Sequence, residues 1–268
     1  MSNVEIVCIG NELLSGFTVN TNASWICKKI TAIGGIVTRV LCVRDDIKEI
    51  DYAVKNSLER KPDWLITCGG LGPTYDDMTL KGVGRSLGRK LVLNSTAVRM
   101  LKASYKKREK KVKLTSARMK MALIPEGSIP IINPVGNAPA VQINIKKTGI
   151  FCLPGVPSEM KAIFSASVLG KIKNEVGKFV VRQQYYYVKG VGEATLARTL
   201  AKLVKKFPPN LLYLKTHPQG HLNENVPVMK IQIVSKGRRK SEVEEVLEKV
   251  SKDVITEVKK YGGKIELK

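Results

Sequence analysis

The chain has little of what several common chemistries require. Its 268 residues include only two histidines, His217 and His221. They are four apart in THPQGH, where Pro218 and Gly220 argue against a zinc pair on one helix face and for a loop between two strands. With no other histidine, a Ser-His-Asp or Cys-His catalyst has no base in the first part of the chain. The five cysteines, Cys8, Cys27, Cys42, Cys68 and Cys152, lack a Cys-x-x-Cys pair and sit singly, mostly in apolar runs. That excludes a disulfide framework and a thiolate zinc site, and suits buried thiols in a reducing cytoplasm. No apolar run approaches the roughly 20 residues of a membrane span. The start, MSNVEIVCIGNELL, lacks the basic n-region of a signal peptide and reads as a first strand. There is no internal repeat and no low-complexity segment.

Acidic residues are also scarce: 23 Asp and Glu stand against 46 Lys and Arg, a formal charge of +23. The excess is spread over the whole chain, and its densest run, KASYKKREKKVK, reads as one amphipathic helix with few interleaved aromatics. A solvated basic face that attracts anionic substrates is therefore favoured over a nucleic-acid surface.

What is present is an alternation of strands and helices. EIVCIG, IVTRVLCV and DWLITC are short apolar runs. Between them lie NASWICKKITAIG, with Ala23, Ile26, Ile30 and Ile33 at helical spacing and Gly34 and Gly35 as its stop, and a helix opened by Asp46 with Glu49 three residues on. Helical patterns follow at Leu80–Leu87, Ser95–Lys113 and Ser116–Ala122. Two strands, AVQINI and GIFCLP, lead into a helix after PGVPSE. This order predicts an α/β fold with a doubly wound, mainly parallel sheet over residues 1–174. Residues 175–268 read as β-α-β-β-α, a small α+β domain ending in the long charged helix Lys240–Tyr261.

In such a sheet, ligands bind beyond the carboxyl ends of the strands. Polar residues gather at those ends: Gly10, Asn11 and Glu12; Asp45 and Asp46; the turn Gly69 to Asp77; and PGVPSE. Gly69, Gly70 and Gly72 can offer backbone N–H groups to an anion. Thr74 and Thr79 supply hydroxyls, while Asp45, Asp76 and Asp77 are oxygen ligands suited to a hard cation such as Mg²⁺. Asp46 is read as a helix cap, and Asp76 and Glu12 carry the alternative roles of a cap and of a first-turn acid at a helix dipole. A phosphate and carboxylates can share one turn when a cation lies between them.

The blocks GNELLSGFTVNTNASWI, VRDD, CGGLGPTYDDMT, INPVGNAPA and LPGVPSEM, in that order across Val4 to Leu169, resemble the molybdopterin-binding MogA/MoaB/MoeA-like superfamily. Within it they are most similar to the CinA (competence/damage-inducible) branch. The resemblance implies a metal-dependent nucleotide pyrophosphatase acting on ADP-ribose, FAD or a similar nucleotide, with molybdopterin binding or adenylylation as the alternative. A basic nucleic-acid-binding protein without catalysis is the reading from another class. The family's acidic pair maps onto Asp45 and Asp77, with Asp76 alongside. Its nucleotide loop maps onto Gly69, Gly70, Gly72, Pro73 and Thr74, and its second ligand loop onto Pro154, Gly155, Ser158 and Glu159. Asn137 and Ala140 stand where the family usually has Thr and Gly, and Lys81 where an acid is common. The resemblance further implies a KH-like second domain, packing on the first domain or a partner subunit rather than holding RNA, and a homo-oligomer. The deamidase domain that ends longer members does not follow in this sequence.

Overall fold

Strand β1 (Asn3–Ile9) buries six consecutive residues after its first, the pattern of a strand covered on both faces inside a parallel sheet. A computed structural model describes residues 2–108, 114–222 and 226–267 and divides the chain into two units, Met1–Val176 and Gly177–Lys268. In the first unit, α1 (Asn11–Leu14) and α2 (Thr21–Ala32) carry the chain to β2 (Ile36–Val43), and α3 (Ile47–Glu59) carries it to β3 (Trp64–Cys68). Then come α4 (Thr79–Ser86), β4 (Leu91–Leu93), α5 (Ser95–Arg108), α6 (Ser116–Lys120), β5 (Leu123–Pro125), β6 (Ile129–Ile131), β7 (Ala140–Ile145) and β8 (Thr148–Leu153). Helix α7 (Pro157–Ile163) runs through a π turn at Phe164–Val168 into α8 (Leu169–Val176).

The six-stranded sheet has the order β2-β1-β3-β8-β7-β6, with β2, β1, β3 and β8 parallel. Strand β7 runs antiparallel to β8, and β6 antiparallel to β7. The chain leaves β1 toward β2 and returns to β3 on the other side, so a crevice opens where the connections part. Val7, Ile9 and Leu65 pack with α3, α4 and α5 through Ile50, Val54, Val83 and Leu101. The alternate positions face α2 and the α7–α8 helix, whose Trp25 and Phe164 rings meet edge to face at 5.5 Å. The sheet is thus covered on both sides.

The second unit holds β9 (Val180–Lys189), α9 (Glu193–Lys205), β10 (Leu212–Leu222), β11 (Val226–Gly237), α10 (Lys240–Lys260) and β12 (Lys264–Leu267). They form an antiparallel sheet, β10-β11-β9-β12, beneath the two helices. Val243, Val246, Val250, Val254 and Val258 give α10 one buried stripe at helical spacing.

Two differences from the sequence reading have local causes. Strands β4, β5, β6 and β12 are only three or four residues long, too short for alternation to register. His217 and His221 lie within β10, opposite Lys230 and Pro227, rather than in a loop. The register shifts between Pro218 and His221 on this edge strand, and an edge and a bulge are where a sheet tolerates proline. Cys42 is exposed, unlike buried Cys8, Cys68 and Cys152. Residues 109–113 of the expected basic helix lie outside the described residues.

One buried charge ties β1 to α3. Glu5, 2% exposed, accepts from Arg60 Nε and a second guanidinium nitrogen at 2.7 Å each. Burial pushes its carboxyl up, but the Arg60 and Ser57 hydrogen bonds and the charges of Arg60 and Arg39 outweigh that, leaving it below its ordinary 4.5. Arg60→Ala should destabilise the first unit by roughly 2–3 kcal/mol near neutrality, below the range for fully enclosed pairs because Arg60 keeps some solvent. Because the folded pKa is depressed, the pair's contribution is complete above 4.5 and fades as pH falls through the folded value. Urea unfolding of both proteins at pH 7 and at pH 3 checks it: the difference should shrink at the lower pH.

Candidate functional site

Four chain segments leave the sheet at its carboxyl edge, and hydrogen bonds fasten them to one another. The Gly10 amide donates to the Val43 carbonyl at 3.2 Å, joining the ends of β1 and β2. The Asn11 amide donates to Asp45 Oδ2 at 2.7 Å. The Gly69 amide donates to the Leu153 carbonyl at 3.0 Å, joining β3 to β8. From α2, Asn22 Nδ2 donates to the Gly155 carbonyl at 2.7 Å. A cleft of about 90 Å³ opens among them, lined by Ile9, Glu12, Val19, Asn22, Gly69 and Gly155 among others.

The glycine turn depends on close approach. Gly69 has φ +114°, and a Cβ there would stand 2.1 Å from the Ile9 carbonyl oxygen. Thr79 is fully buried, and its hydroxyl donates to the Gly69 carbonyl at 2.7 Å. Thr79 therefore anchors the turn and offers no hydroxyl to a ligand, a correction to the sequence reading. The Gly69 amide, committed to Leu153, offers no donor to an anion either. The amides of Gly70 and Gly72 carry no hydrogen bond among the described residues.

The acids divide by task. Asp46 caps α3, accepting from the Lys48 and Glu49 amides at 2.8 and 3.1 Å. Asp77 Oδ2 accepts from the Thr74 amide at 2.8 Å and from the Thr74 hydroxyl. Thr74 thus orients a carboxylate and does not wait for a substrate. Helix α4 has Met78 before its first turn and no side-chain cap, so Asp76 does not cap it. The neighbouring Thr74 side chain, its own amide and the Lys120 charge hold the Asp76 carboxyl below the usual range, while the hydroxyl proton of Thr74 goes to Asp77. Burial pushes the Asp45 carboxyl up. The Asn11 amide opposes this, and the charges of Glu12, Asp76 and Asp77 add to it. The four carboxylates therefore share one field. The Glu12 carboxylate folds back over Gly10, so that a Cβ there would meet it at 2.5 Å.

The last block is engaged structurally. Glu159 Oε2 accepts from Asn133 Nδ2 at 2.7 Å, while Asn133 Oδ1 receives the Gly136 amide at 2.7 Å. Glu159 thus braces the INPVGNAPA loop through Oε2, and its Oε1 lies outside these hydrogen bonds. Asn137 accepts from Ser104 in α5 at 3.1 Å. Pro154 is buried, whereas Gly155, Ser158, Asn11 and Pro73 stay exposed at the edge.

Two contributors escape a reading along the chain. Asn22 bridges α2 to Gly155; its only sequence signal is an amide in the first turn of an apolar-periodic helix. Lys120, at the end of α6, donates to the Thr74 carbonyl. Burial lowers its pKa, Lys81 lowers it further, and Asp77 and Asp76 oppose the shift. No motif points to it, because the fold alone brings α6 to the turn.

Among the described residues no group of three or more His, Cys, Asp and Glu is placed to hold a metal ion. Asp45 and Asp77 each keep one carboxylate oxygen outside the hydrogen bonds above. Such donors suit a hard cation that completes its shell with ligand phosphates and water, rather than a cage made only of protein.

A parallel sheet of order 2-1-3, with its crevice at the switch point and a glycine turn beside it, defines a doubly wound α/β domain. Comparison with known proteins sharpens this. Residues 5–174 match the family described as "Probable molybdopterin binding domain". A protein of Metallosphaera sedula is 40% identical over 98% of this chain and 96% of its own length. A protein of Saccharolobus solfataricus is 38% identical over 97% and 93%. The crystal structure of the protein CinA from Thermoplasma acidophilum aligns with a TM-score of 0.59 at 39% identity, covering 66% of this chain and 98% of that one. The chain belongs to the molybdopterin-binding domain family, in its CinA-like branch.

The turn can be tested apart from any activity. Gly69→Ala should lower stability by about 3 kcal/mol or more, since strain and a backbone clash add. Gly16→Ala, at φ +76° with nothing within 4 Å, should cost only about 1–2 kcal/mol. Thermal unfolding of the two variants side by side reads the difference.

Proposed function

We propose that the carboxyl edge of the first unit binds a nucleotide carrying a phosphoanhydride, such as ADP-ribose or FAD, and hydrolyses it to two monophosphates. The carrying observation is Asp45, held by the Asn11 amide at 2.7 Å and acted on by the charges of Glu12, Asp76 and Asp77, at the same carboxyl edge as a turn with open amides. A carboxylate that burial pushes up, and that the charges of three other carboxylates push further, gains from a cation. An anion brought by the cation then finds donors in the turn.

In this reading Asp45 and Asp77, with Asp76 alongside, would hold a divalent cation such as Mg²⁺. When bound, it would polarise the diphosphate and lower the pKa of a water. Asn11 holds Asp45 through its amide, and Thr74 holds Asp77, so neither carboxylate must be ordered at the moment of reaction. The Gly70 and Gly72 amides meet charge that grows on the phosphate oxygens. A water oxygen bonds to one phosphorus and gives up its proton to solvent, while the bridging P–O bond breaks and its oxygen leaves on the other phosphate. The α2–β8 tie through Asn22 and Gly155 closes the far side of the cleft.

The family description supports a second reading, in which the same edge binds or adenylylates molybdopterin. The KH-like character of the second unit and a homo-oligomeric state belong to the same proposal.

The experiment is a panel of nucleotide diphosphates, with and without added divalent metal, reading released AMP. Asp45→Asn keeps an acceptor for the Asn11 amide and removes the charge. It should lower turnover at least a hundredfold, on the order of 3 kcal/mol of transition-state stabilisation, with an unchanged circular dichroism spectrum. Turnover near the parent's would refute the assignment. Adenylylated pterin from ATP and molybdopterin, without AMP release from the panel, would establish the second reading.

A further inference from the structure

Lys120 and Lys81 face a small cavity that also includes Gly70, Leu71, Gly72 and Asp77. At about 30 Å³ it has room for the leading oxygens of a phosphoryl group and none for a nucleoside. We propose that Lys120, seconded by Lys81 and the open amides of Gly70 and Gly72, forms an anion subsite that holds one phosphate of the ligand. This deepens the reading above and rests on it only for the anion's identity.

The Lys120 ammonium has three donors, and one goes to the Thr74 carbonyl. The remaining two can meet incoming oxygens. Thr74 is itself fixed through Asp77, so the ammonium is held by the same turn that presents the amides. Lys81 extends from the first turn of α4 and repels the Lys120 charge. Two cations facing one cavity are relieved by an anion between them.

Asp77 also lines the cavity, and Asp76 acts on Lys120 from nearby. Two carboxylates against two ammoniums leave the local field close to neutral. The unpaired amides, and the α4 N-terminus whose first N–H groups lack a side-chain cap, then tip the balance toward an anion. Asp77 Oδ2 is already occupied by Thr74, which holds one oxygen of that carboxylate at the turn.

The test is calorimetric titration with inorganic pyrophosphate in EDTA, for the parent, Lys120→Met, Lys120→Gln, Lys120→Arg and Lys81→Met. Circular dichroism checks each fold. Pyrophosphate affinity should fall about tenfold or more in Lys120→Met and Lys120→Gln, the loss of one hydrogen bond to a charged group. Lys120→Arg should restore it to within about threefold, and Lys81→Met should weaken it less than Lys120→Met, because Lys81 acts through charge alone. A folded Lys120→Met or Lys120→Gln protein that binds within twofold of the parent overturns the subsite, as does a parent that binds no pyrophosphate. AMP release from ADP-ribose is measured separately. Lys120-dependent pyrophosphate binding without any AMP release would keep the subsite and remove the hydrolase reading. AMP release with an unchanged KM in Lys120→Met would do the reverse.

Discussion

The carboxyl edge is organised by the approach of the turn after β3 to the end of β1. Gly69 passes so near the Ile9 carbonyl that no side chain fits, and its φ lies where only glycine is at ease. From that contact the rest follows. With Gly69 in place, its amide reaches Leu153 on β8 and its carbonyl receives the Thr79 hydroxyl. Strand β8 is then drawn to β3 at the edge, and α4 starts where the turn ends. Gly70 and Gly72 are left with their amides uncommitted. A residue expected to contact a ligand is instead the hinge pin of the turn, and the donors lie one and three positions further on.

This division between holding and meeting recurs through the site. Thr74, Thr79, Asn133 and Glu159 have polar side chains in the motif blocks, yet all four bond within the protein. Their energetic role is to satisfy buried or half-buried polar groups that would otherwise destabilise the edge. Motif residues can therefore be indispensable without touching a ligand. The groups with capacity left over include one oxygen each of Asp45, Asp77 and Glu159, Asp76, Glu12, the Gly70 and Gly72 amides, and two lysines.

Much of the first unit was legible because its longer strands are apolar runs of five to eight residues bounded by turn or helix signals. The runs at Ile36–Val43 and Ala140–Ile145 coincide with β2 and β7. The Asp46 cap and the Gly34–Gly35 stop were legible because each uses a local bond: the Glu49 amide to Asp46, and the Gly35 amide to the Ile30 carbonyl. Strands β4, β5, β6 and β12 were not, since three or four residues carry no periodicity of their own and exist only through a partner. The His217–His221 segment misled for the opposite reason, because proline and glycine spell a turn where an edge bulge absorbs them. At the site, residue types pointed to the right edge but not to the direction of each bond. Whether a threonine hydroxyl faces a ligand or a carbonyl is decided by tertiary packing, and Lys120 becomes visible only when α6 is folded against the turn.

The charge of the whole chain bears on the same edge. A formal charge of +23 draws anions toward the molecule regardless of where they dock. Burial lifts the Asp45 carboxyl, and the charges of Glu12, Asp76 and Asp77 add to it, which runs against that general attraction. An anion arriving alone therefore meets attraction at long range and repulsion at the edge itself. One that arrives with a cation, or that lands on the side where Lys81 and Lys120 offset Asp76 and Asp77, escapes that repulsion. In the proposed reading, the arrangement would favour ligands with enough phosphate charge to engage the lysines and a cation together. A diphosphate bridge meets that demand, whether it belongs to a nucleotide or to an adenylylated pterin.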